Sequence, residues 1–353
     1  TLFKRYFTKF NAKFTTNTAV NVSKYGNKYV GLTETPQPII FDPETLETIG
    51  DFKFEDNYTC NLSTAHPHLD PTDKTPINLA IRMGATSYYE CYKIFNNKNI
   101  FITGGTGTFG TAMIDFLLKN SKPKSIIVYS RDEMKQWYLK ENLLKFKNVK
   151  FVLGDVRDKE RLDSVLSNKI DYLFHAAATK IVPTSEFNPE ECIKTNIIGA
   201  MNVIDCCKKN KVKKVIALST DKASSPINLY GATKLCSDKL FVAQNSENVQ
   251  TKFGVVRYGN VMASRGSIIP YFKSLINKSY FPITHPEMTR FFLSIEDAVR
   301  FSCFGMINMI GGEIFVKKIK SIKITDLAKS IKHNVKFKIT GIRPGEKILE
   351  QMM

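Results

Sequence analysis

Several features of common protein classes are missing from this sequence of 353 residues. No apolar run approaches the roughly 20 residues that span a bilayer, and Thr1–Arg5 lacks the apolar core of a signal peptide. We therefore expect a cytoplasmic protein that has no membrane partner.

The seven cysteines include no Cys-x-x-Cys pair and no metal-ligand spacing. Cys206 and Cys207 are adjacent on a predicted helix, so we expect reduced thiols and no disulfide framework. The sequence predicts no bound metal.

The net charge of +18 is not arranged like a nucleic-acid surface. Most of the basic excess lies in residues 99–353, where lysines are scattered among asparagine and isoleucine rather than interleaved with aromatic residues in one stripe. We expect no nucleic-acid partner, whereas a small polyanion such as a diphosphate needs only a few of these charges.

The pattern of apolar residues divides the chain into two unlike parts, residues 1–98 and residues 99–353. In the first part, short runs such as Ala19–Ser23 and Lys28–Leu32 alternate with turn residues and predict β-strands. In the second part, apolar strands alternate with helical stretches. This alternation predicts an α/β fold, a Rossmann-like doubly wound parallel sheet with a small C-terminal substrate-binding part. The predicted strands of the second part are Ile100–Thr103, Ser125–Ser130, Val149–Leu153, Tyr172–His175, Val212–Ser219 and Phe253–Tyr258.

Three motifs stand out in the first part: Gly31–Glu34, Phe41–Gly50 and Thr64–His68. In these motifs residues 1–98 resemble the carotenoid oxygenases, which are seven-bladed propellers that hold iron with four histidines. The resemblance implies an all-β, propeller-like fragment of one or two blades, in which His66 matches one iron ligand. Because several nitrogens must converge to hold such an iron, we interpret His66 as an orphan ligand.

A glycine-rich turn follows the first predicted strand of the second part. Gly104, Gly107 and Gly110 stand between that strand and the apolar helix Ala112–Leu118. Glycine here lets the backbone approach a pyrophosphate, whose charge then sits on the helix N-terminus. The turn therefore predicts a dinucleotide site, and a turn without any ligand is the alternative.

The end of the second strand indicates which dinucleotide binds. Val128–Arg131 has no acid where a ribose diol would be held, and Ser130 and Arg131 would instead meet a 2′-phosphate. We predict NADP rather than NAD, with Arg131 as a plain surface cation as the alternative. Gly154–Val156 and Ala176–Ala178 come after the next two strands, where contacts to adenine and to the nicotinamide ribose usually arise. The predicted cofactor-binding residues are Gly104, Thr106, Gly107, Thr108, Phe109, Gly110, Ser130, Arg131, Asp155, Val156, Ala176, Tyr230 and Lys234.

Four proton-handling side chains lie close together in the sequence: Asp221, Lys222, Tyr230 and Lys234. Tyr230 and Lys234 are four residues apart and share one face of a helix. We expect the ammonium to lower the phenol pKa from about 10 toward neutrality, which would make Tyr230 a base for a sugar hydroxyl. Asp221 and Lys222 come after the fifth strand, at the edge where parallel sheets bind ligands. A solvated ion pair is the alternative for these two residues.

Ordered motifs across residues 99–353, among them Leu218–Ala223, Pro226–Lys234 and Gly341–Lys347, resemble the inverting UDP-N-acetylglucosamine 4,6-dehydratases. These are extended short-chain dehydrogenase/reductases. The resemblance implies a lyase that forms a UDP-4-keto-6-deoxy sugar for surface polysaccharide or pseudaminic acid synthesis. In that family the tyrosine takes the C4 hydroxyl proton, the lysine after the fifth strand takes the C5 proton, and its neighbouring aspartate protonates the departing C6 hydroxyl. By resemblance, the residues that would hold the UDP-sugar are Lys180, Asn260, Thr284, Arg343 and Glu346.

We expect a homo-oligomer, and two other interpretations of the function stay open. A UDP-sugar 4-epimerase would share Tyr230 and Lys234 but would not need Asp221 and Lys222. An inactive fusion product would account for two unrelated parts in one chain and for an end at Met353, short of the C-terminal tail of the family.

Overall fold

The computed structural model describes residues 21–25, 28–32, 39–51, 62–63, 68–69, 76–82, 88–93, 95–245, 250–262, 264 and 266–353. The chain divides into two compact units. One holds the residues up to Phe95 together with Lys119–Lys122, and the other holds Asn96–Leu118 and Pro123–Met353.

The described strands of the first unit form two antiparallel sheets. In one sheet β1, β2, β3 and β4 follow each other in chain order, and in the other β5, β6 and β8 each pair with β7. These strands are Asn21–Tyr25 (β1), Lys28–Leu32 (β2), Ile39–Phe41 (β3), Thr48–Asp51 (β4), Leu62–Ser63 (β5), His68–Leu69 (β6), Pro76–Arg82 (β7) and Tyr88–Lys93 (β8). The propeller-like arrangement stays a prediction, and His66 lies outside the described residues.

The second unit is built on a sheet of seven parallel strands in the order β11-β10-β9-β12-β13-β14-β18. These strands are Asn99–Thr103 (β9), Ser125–Ser130 (β10), Val149–Leu153 (β11), Tyr172–His175 (β12), Lys214–Thr220 (β13), Lys252–Tyr258 (β14) and Ile314–Val316 (β18). The chain order reverses between β9 and β12. In an open parallel sheet such a reversal leaves a crevice at the carboxyl ends of the strands. The predicted Rossmann-like parallel sheet is confirmed.

Helices connect these strands, and polar side chains fix where several of them begin. Asp132, Asp158, Asn228 and Ser294 each accept a hydrogen bond from a backbone N–H in the first turn. The helices are Thr108–Asn120, Glu133–Asn142, Lys159–Leu166, Val182–Phe187, Pro189–Ile193, Gly199–Lys209, Leu229–Val242, Ile268–Ser274, Ile295–Asn308 and Ile324–Ile331, with a π-helical turn at Lys194–Ile198 and a 3-10 turn at Asp221–Ala223. Nowhere in the described part of the chain is a helix long and apolar enough to cross a membrane.

One predicted strand begins later than expected. The sequence predicts Val212 as the first residue of the fifth strand, but its backbone N–H donates to the Cys207 carbonyl oxygen at 3.0 Å and so belongs to the end of the preceding helix. Lys211 has a φ of 54°, which turns the chain there before β13 starts at Lys214. The apolar side chain of Val212 is buried, which is why it resembles a strand residue in the sequence.

A second, smaller core lies in the C-terminal third of the unit. Phe272, Phe281, Phe292 and Ile324 are buried in it, and the rings of Phe272 and Phe281 stack with their centroids 4.9 Å apart. Two small sheets surround this core, made of Asn260–Val261 (β15), Thr289–Leu293 (β17) and Ser321–Lys323 (β19), and of Tyr280–Ile283 (β16) and Lys336–Ile339 (β20). This small part contributes the remaining wall of the cleft at the carboxyl ends of the large sheet.

Candidate active site

A cleft of about 1250 Å³ lies at the carboxyl ends of the parallel strands. It brings together all of the residues predicted to bind the cofactor or the substrate. Of the four predicted catalytic residues, Lys222, Tyr230 and Lys234 line the cleft, whereas Asp221 is completely buried beside it.

The glycine-rich turn packs against the end of β12. Gly104 has a φ of 65°, and a Cβ at this position would lie 2.8 Å from the Ala177 nitrogen. A Cβ at Gly110 would lie 2.4 Å from Gly105 Cα. Only glycine therefore allows the turn to lie this close to its neighbours. The first turn of the following helix carries no acidic residue, so the site fits the pyrophosphate of a dinucleotide.

The tip of β10 holds the two residues predicted to select NADP. The Ser130 hydroxyl accepts hydrogen bonds from Thr106 Oγ1 at 3.1 Å and from Gln136 Nε2 at 3.2 Å. The Arg131 guanidinium is 3.5 Å from Asp155 Oδ2 and its side chain is 61% exposed. Arg131 thus faces the cleft beside a carboxylate.

Asp155 is also engaged by a second arginine. Burial raises its pKa, but hydrogen bonds from the Arg157 side chain and backbone more than offset this, so that the pKa of Asp155 is lowered overall. A carboxylate shared by two guanidiniums stays ionised near neutral pH.

The Asp221–Lys222 pair is not solvated, contrary to the alternative weighed from the sequence. Asp221 Oδ1 accepts hydrogen bonds from Thr220 Oγ1 at 2.8 Å and from Lys222 Nζ at 3.1 Å. Its other oxygen, Oδ2, is buried and forms no hydrogen bond with the described residues. The Lys222 side chain is 17% exposed, lines the cleft and donates to Asn260 Oδ1 at 3.4 Å.

Tyr230 and Lys234 lie on the helix Leu229–Val242, where they face the cleft as the spacing predicts. The expected lowering of the Tyr230 pKa is wrong for the protein alone. Burial raises the pKa of the phenol, a hydrogen bond that it accepts from the Thr220 side chain lowers it, and the charge of Asp221 raises it further. Burial also lowers the pKa of Lys234, although Asp238 opposes this shift. Burial is the largest cause of the pKa shift of both side chains.

Asp238 was not predicted as a site residue. It lies on the same helix as Tyr230 and Lys234 and ties that helix to the sheet. Its Oδ2 accepts hydrogen bonds from Ser219 Oγ at 2.7 Å and from Arg257 Nη2 at 2.9 Å. Asp238 and Arg257 are both buried, and Arg257 Nη1 also donates to the Met352 carbonyl oxygen at 3.3 Å. The network joins β13, β14 and the helix behind the cleft.

Two further residues of the site were missed. Asn196, in the π-helical turn, accepts a hydrogen bond from the Thr179 backbone N–H and donates to its carbonyl oxygen, both at 2.9 Å, and so fixes the loop that precedes Lys180. Glu350 lines the cleft with a carboxylate 3.7 Å from Lys222 Nζ. The only feature of the sequence that could have predicted a role for Glu350 is its position three residues after the Gly341–Lys347 motif. Among the residues that the structure describes, no group of three or more His, Cys, Asp or Glu side chains could hold a metal ion.

Comparison with known families identifies the part of the chain that holds the cleft. A family model described as polysaccharide biosynthesis protein matches residues 100–353. The chain belongs to this family. The UDP-N-acetylglucosamine 4,6-dehydratase (inverting) of Campylobacter jejuni is 56% identical over 264 residues, which are 74% of this chain and 78% of that protein. A UDP-glucose 4-epimerase of Rickettsia bellii is 46% identical over 270 residues, 74% of this chain and 79% of its own.

Solved structures share the fold of this polysaccharide biosynthesis protein. The X-ray structure of Pen from Bacillus thuringiensis is 39% identical, covers 74% of this chain and 83% of its own, and has a TM-score of 0.71. The dTDP-glucose 4,6-dehydratase DesIV from Streptomyces venezuelae, solved with NAD and TYD bound, is 20% identical with a TM-score of 0.64, covering 71% of this chain and 86% of its own. At that identity the likeness to DesIV concerns the fold alone.

The first part of the chain matches a different family model, described as retinal pigment epithelial membrane protein, over residues 1–125. This match confirms the resemblance to carotenoid oxygenases. The two matches overlap over residues 100–125, where the structure shows β9, a helix and the start of β10 of the parallel sheet. Of those residues, 100–118 and 123–125 belong to the unit that holds the parallel sheet, and Lys119–Lys122 belong to the other unit.

The buried Arg257–Asp238 pair predicts a large stability effect. Replacement Arg257→Met should lower the free energy of unfolding by about 3–5 kcal/mol, because it leaves the Asp238 carboxylate buried without its cation. Urea unfolding measures this loss. Lys317→Met is the control, because it removes an ion pair with Asp297 in which both side chains are more than a third exposed, and its loss should be far smaller. Equal losses in the two variants would show that Arg257 does not neutralise Asp238.

Proposed function

We propose that this protein is a C5-inverting UDP-N-acetylglucosamine 4,6-dehydratase, which forms a UDP-4-keto-6-deoxy sugar. The observation that carries the proposal is the buried Asp221–Lys222 pair, whose amine faces the cleft that holds Tyr230 and Lys234. A 4-epimerase needs no acid and base at this place. The 56% identity to the Campylobacter jejuni enzyme supports the same function.

The substrate half of the cleft suits a UDP-sugar. Lys180 and Arg343 supply positive charge for the diphosphate, and Asn260 and Thr284 supply polar groups for the sugar. Burial lowers the pKa of Lys180, which a phosphate partner would reverse. Arg343 Nε donates to Glu346 Oε1 at 2.9 Å, and this contact holds the guanidinium at the wall of the cleft.

The protein's own residues handle the protons of the reaction. A bound nicotinamide supplies a hydride acceptor for C4 and later a hydride donor for C6. Tyr230 takes the proton of the C4 hydroxyl, and Lys234 holds positive charge beside it. The ketone at C4 makes the C5 hydrogen acidic, and the Lys222 amine removes that proton. A proton then reaches the C6 hydroxyl, which leaves as water.

The source of that last proton is Asp221, although this residue has no surface on the cleft. Thr220 lines the cleft, and its hydroxyl lies 2.8 Å from Asp221 Oδ1. We propose that the Lys222 ammonium first gives a proton to Asp221, which leaves Lys222 as an uncharged amine that can take the C5 proton. Thr220 then passes its hydroxyl proton to the departing oxygen and receives the proton of Asp221 in exchange. No charge is then left on Thr220, and Asp221 ends the step as a carboxylate.

We also propose NADP as the nicotinamide cofactor, a homo-oligomeric state and a cytoplasmic location. Arg131 supports NADP, because it offers a guanidinium at the tip of β10 where a 2′-phosphate would lie. The cysteines described by the structure are free thiols, which suits a reducing compartment.

The domain assignment belongs to the same proposal. Residues 99–353 would carry the whole activity, because every residue that lines the cleft lies between Gly104 and Glu350. Residues 1–98 would contribute none of it.

Product analysis with Lys222→Ala tests the reaction. With UDP-N-acetylglucosamine, the unaltered protein should give a 4-keto-6-deoxy sugar, identified by NMR. The variant should still reduce its cofactor when substrate is added, because Tyr230 and Lys234 remain. It should release no product and exchange no C5 hydrogen with deuterated water. Lys239→Ala, an exposed lysine on the catalytic helix, is the control and should leave turnover unchanged. A C4 epimer that forms equally well in both variants would favour the epimerase instead.

Arg131→Ala tests the choice of cofactor. The variant should bind NADP about 10- to 100-fold more weakly, because a charged contact to phosphate is lost, and should bind NAD with little change. Fluorescence titration with each cofactor measures both affinities. Lys140→Ala, which removes an exposed cation of the following helix, should change neither of them. An equal loss of affinity for NADP and for NAD would show that Arg131 supports the fold and does not select the cofactor.

A shortened chain of residues 99–353 tests the domain assignment. It should convert UDP-N-acetylglucosamine with a turnover close to that of the full chain, because it retains the whole cleft. Circular dichroism establishes that the shortened chain is folded. A folded but inactive product would contradict the assignment.

A further inference from the structure

Glu350 is a buried carboxylate of the cleft to which the proposed reaction gives no role. Its side chain is 3% exposed, and its Oε1 lies 3.7 Å from Lys222 Nζ. It comes from the coil after β20, more than a hundred residues after Lys222.

Cations surround this carboxylate, yet it forms no hydrogen bond with them. Arg290 Nε lies 4.0 Å from Oε1, and Lys347 Nζ lies 3.9 Å from Oε2. The Oε2 atom is buried and lacks a hydrogen-bond partner within the described ranges. A carboxylate kept out of water and short of hydrogen bonds costs free energy, so its place in the cleft needs an explanation.

The surroundings of Lys222 indicate what the Glu350 carboxylate does. Two oxygens are within hydrogen-bonding distance of its Nζ, Asp221 Oδ1 at 3.1 Å and Asn260 Oδ1 at 3.4 Å. An uncharged amine has two N–H groups, and an ammonium has three. When the proton of the pair is on Asp221, these two oxygens are enough acceptors for the uncharged amine. Once Lys222 has taken a proton, its third N–H needs an acceptor, and the Glu350 carboxylate lies 3.7 Å away.

The coil that carries Glu350 is held by hydrogen bonds just before this residue. Asn228 Nδ2 donates to the Gly345 carbonyl oxygen at 2.8 Å, and Lys347 Nζ donates to the Ser224 carbonyl oxygen at 2.8 Å. Arg290 Nη1 donates to the Ile348 carbonyl oxygen at 3.2 Å. The first two bonds tie the coil to the segment just after Lys222, so the separation of Glu350 and Lys222 is set by the fold.

We infer that Glu350 is a positioning residue for Lys222. It keeps the Lys222 amine at the cleft wall and supplies the negative charge beside the ammonium that forms when the C5 proton is removed. Glu350 acts through Lys222 and forms no bond with the substrate. This inference rests on the proposed dehydratase function.

The test uses Glu350→Gln in the full chain, because glutamine keeps the shape of the side chain and removes its charge. Exchange of the C5 hydrogen with deuterated water should fall about 10- to 100-fold, the loss expected for a contact with a charged group. Cofactor reduction on substrate addition should stay close to that of the unaltered protein, as should KM, because C4 oxidation does not involve Lys222. Glu350→Asp retains the charge and should recover part of the exchange. Glu287→Gln, at an exposed glutamate outside the cleft, is the matched control and should behave like the unaltered protein.

The outcomes separate the inference from the proposed function. If the unaltered protein forms a C4 epimer instead of the keto sugar, the proposed function is wrong, whatever the variants do. If the unaltered protein forms the keto sugar, undiminished C5 exchange in Glu350→Gln would overturn the inference. Parallel losses of cofactor reduction and C5 exchange would also overturn it, because they would indicate a general support of the fold. If Glu350→Gln does not fold, as judged by thermal melting, Glu350→Asp decides. Its shorter side chain moves the charge away from Lys222, so C5 exchange should fall while cofactor reduction is kept, and equal losses of both would overturn the inference.

Discussion

The site depends on the parallel register of the large sheet. Thr103 pairs with His175, and Thr220 pairs with Tyr258, so strands far apart in the sequence end at one edge. The turns that leave neighbouring strands must then lie beside each other. The glycine-rich turn after β9 and the Asp221–Lys222 turn after β13 therefore line the same cleft, although more than a hundred residues separate them.

Burial of charge is the second constraint on the site. Asp221, Lys234, Asp238 and Arg257 are all nearly or completely buried, where an unpaired charge is costly. Opposite charges meet these groups within the fold, as in the pairs of Arg257 with Asp238 and of Lys222 with Asp221. The same burial raises the pKa of Tyr230. In the proposed reaction the phenol would therefore need positive charge from a bound ligand to act as a base near neutral pH.

Local patterns in the sequence were sufficient for the large sheet. Ser125–Ser130, Val149–Leu153 and Tyr172–His175 have the predicted bounds, because strands covered on both faces appear as short apolar runs between turn residues. The shared face of Tyr230 and Lys234 also results from their spacing on a helix.

Contacts between segments that are distant in the sequence could not be predicted from such local patterns. Neither the contact of Glu350 with Lys222 nor the complete burial of Asp221 leaves a periodic pattern in the sequence, since both depend on tertiary packing. The sequence predicted a lowered pKa for Tyr230, whereas burial raises it. The spacing of two residues on a helix does not reveal how deeply they are buried.

The coil that carries Glu350 also bears on the order in which the protein folds. Its bonds from Asn228 to Gly345 and from Lys347 to Ser224 span 117 and 123 residues. Contacts of such long sequence separation require closure of large loops, and they form after local structure has appeared. On a ribosome, the nucleotide-binding half can assemble while this coil is still unsynthesised. The chain thus forms its parallel sheet first and completes its catalytic centre last.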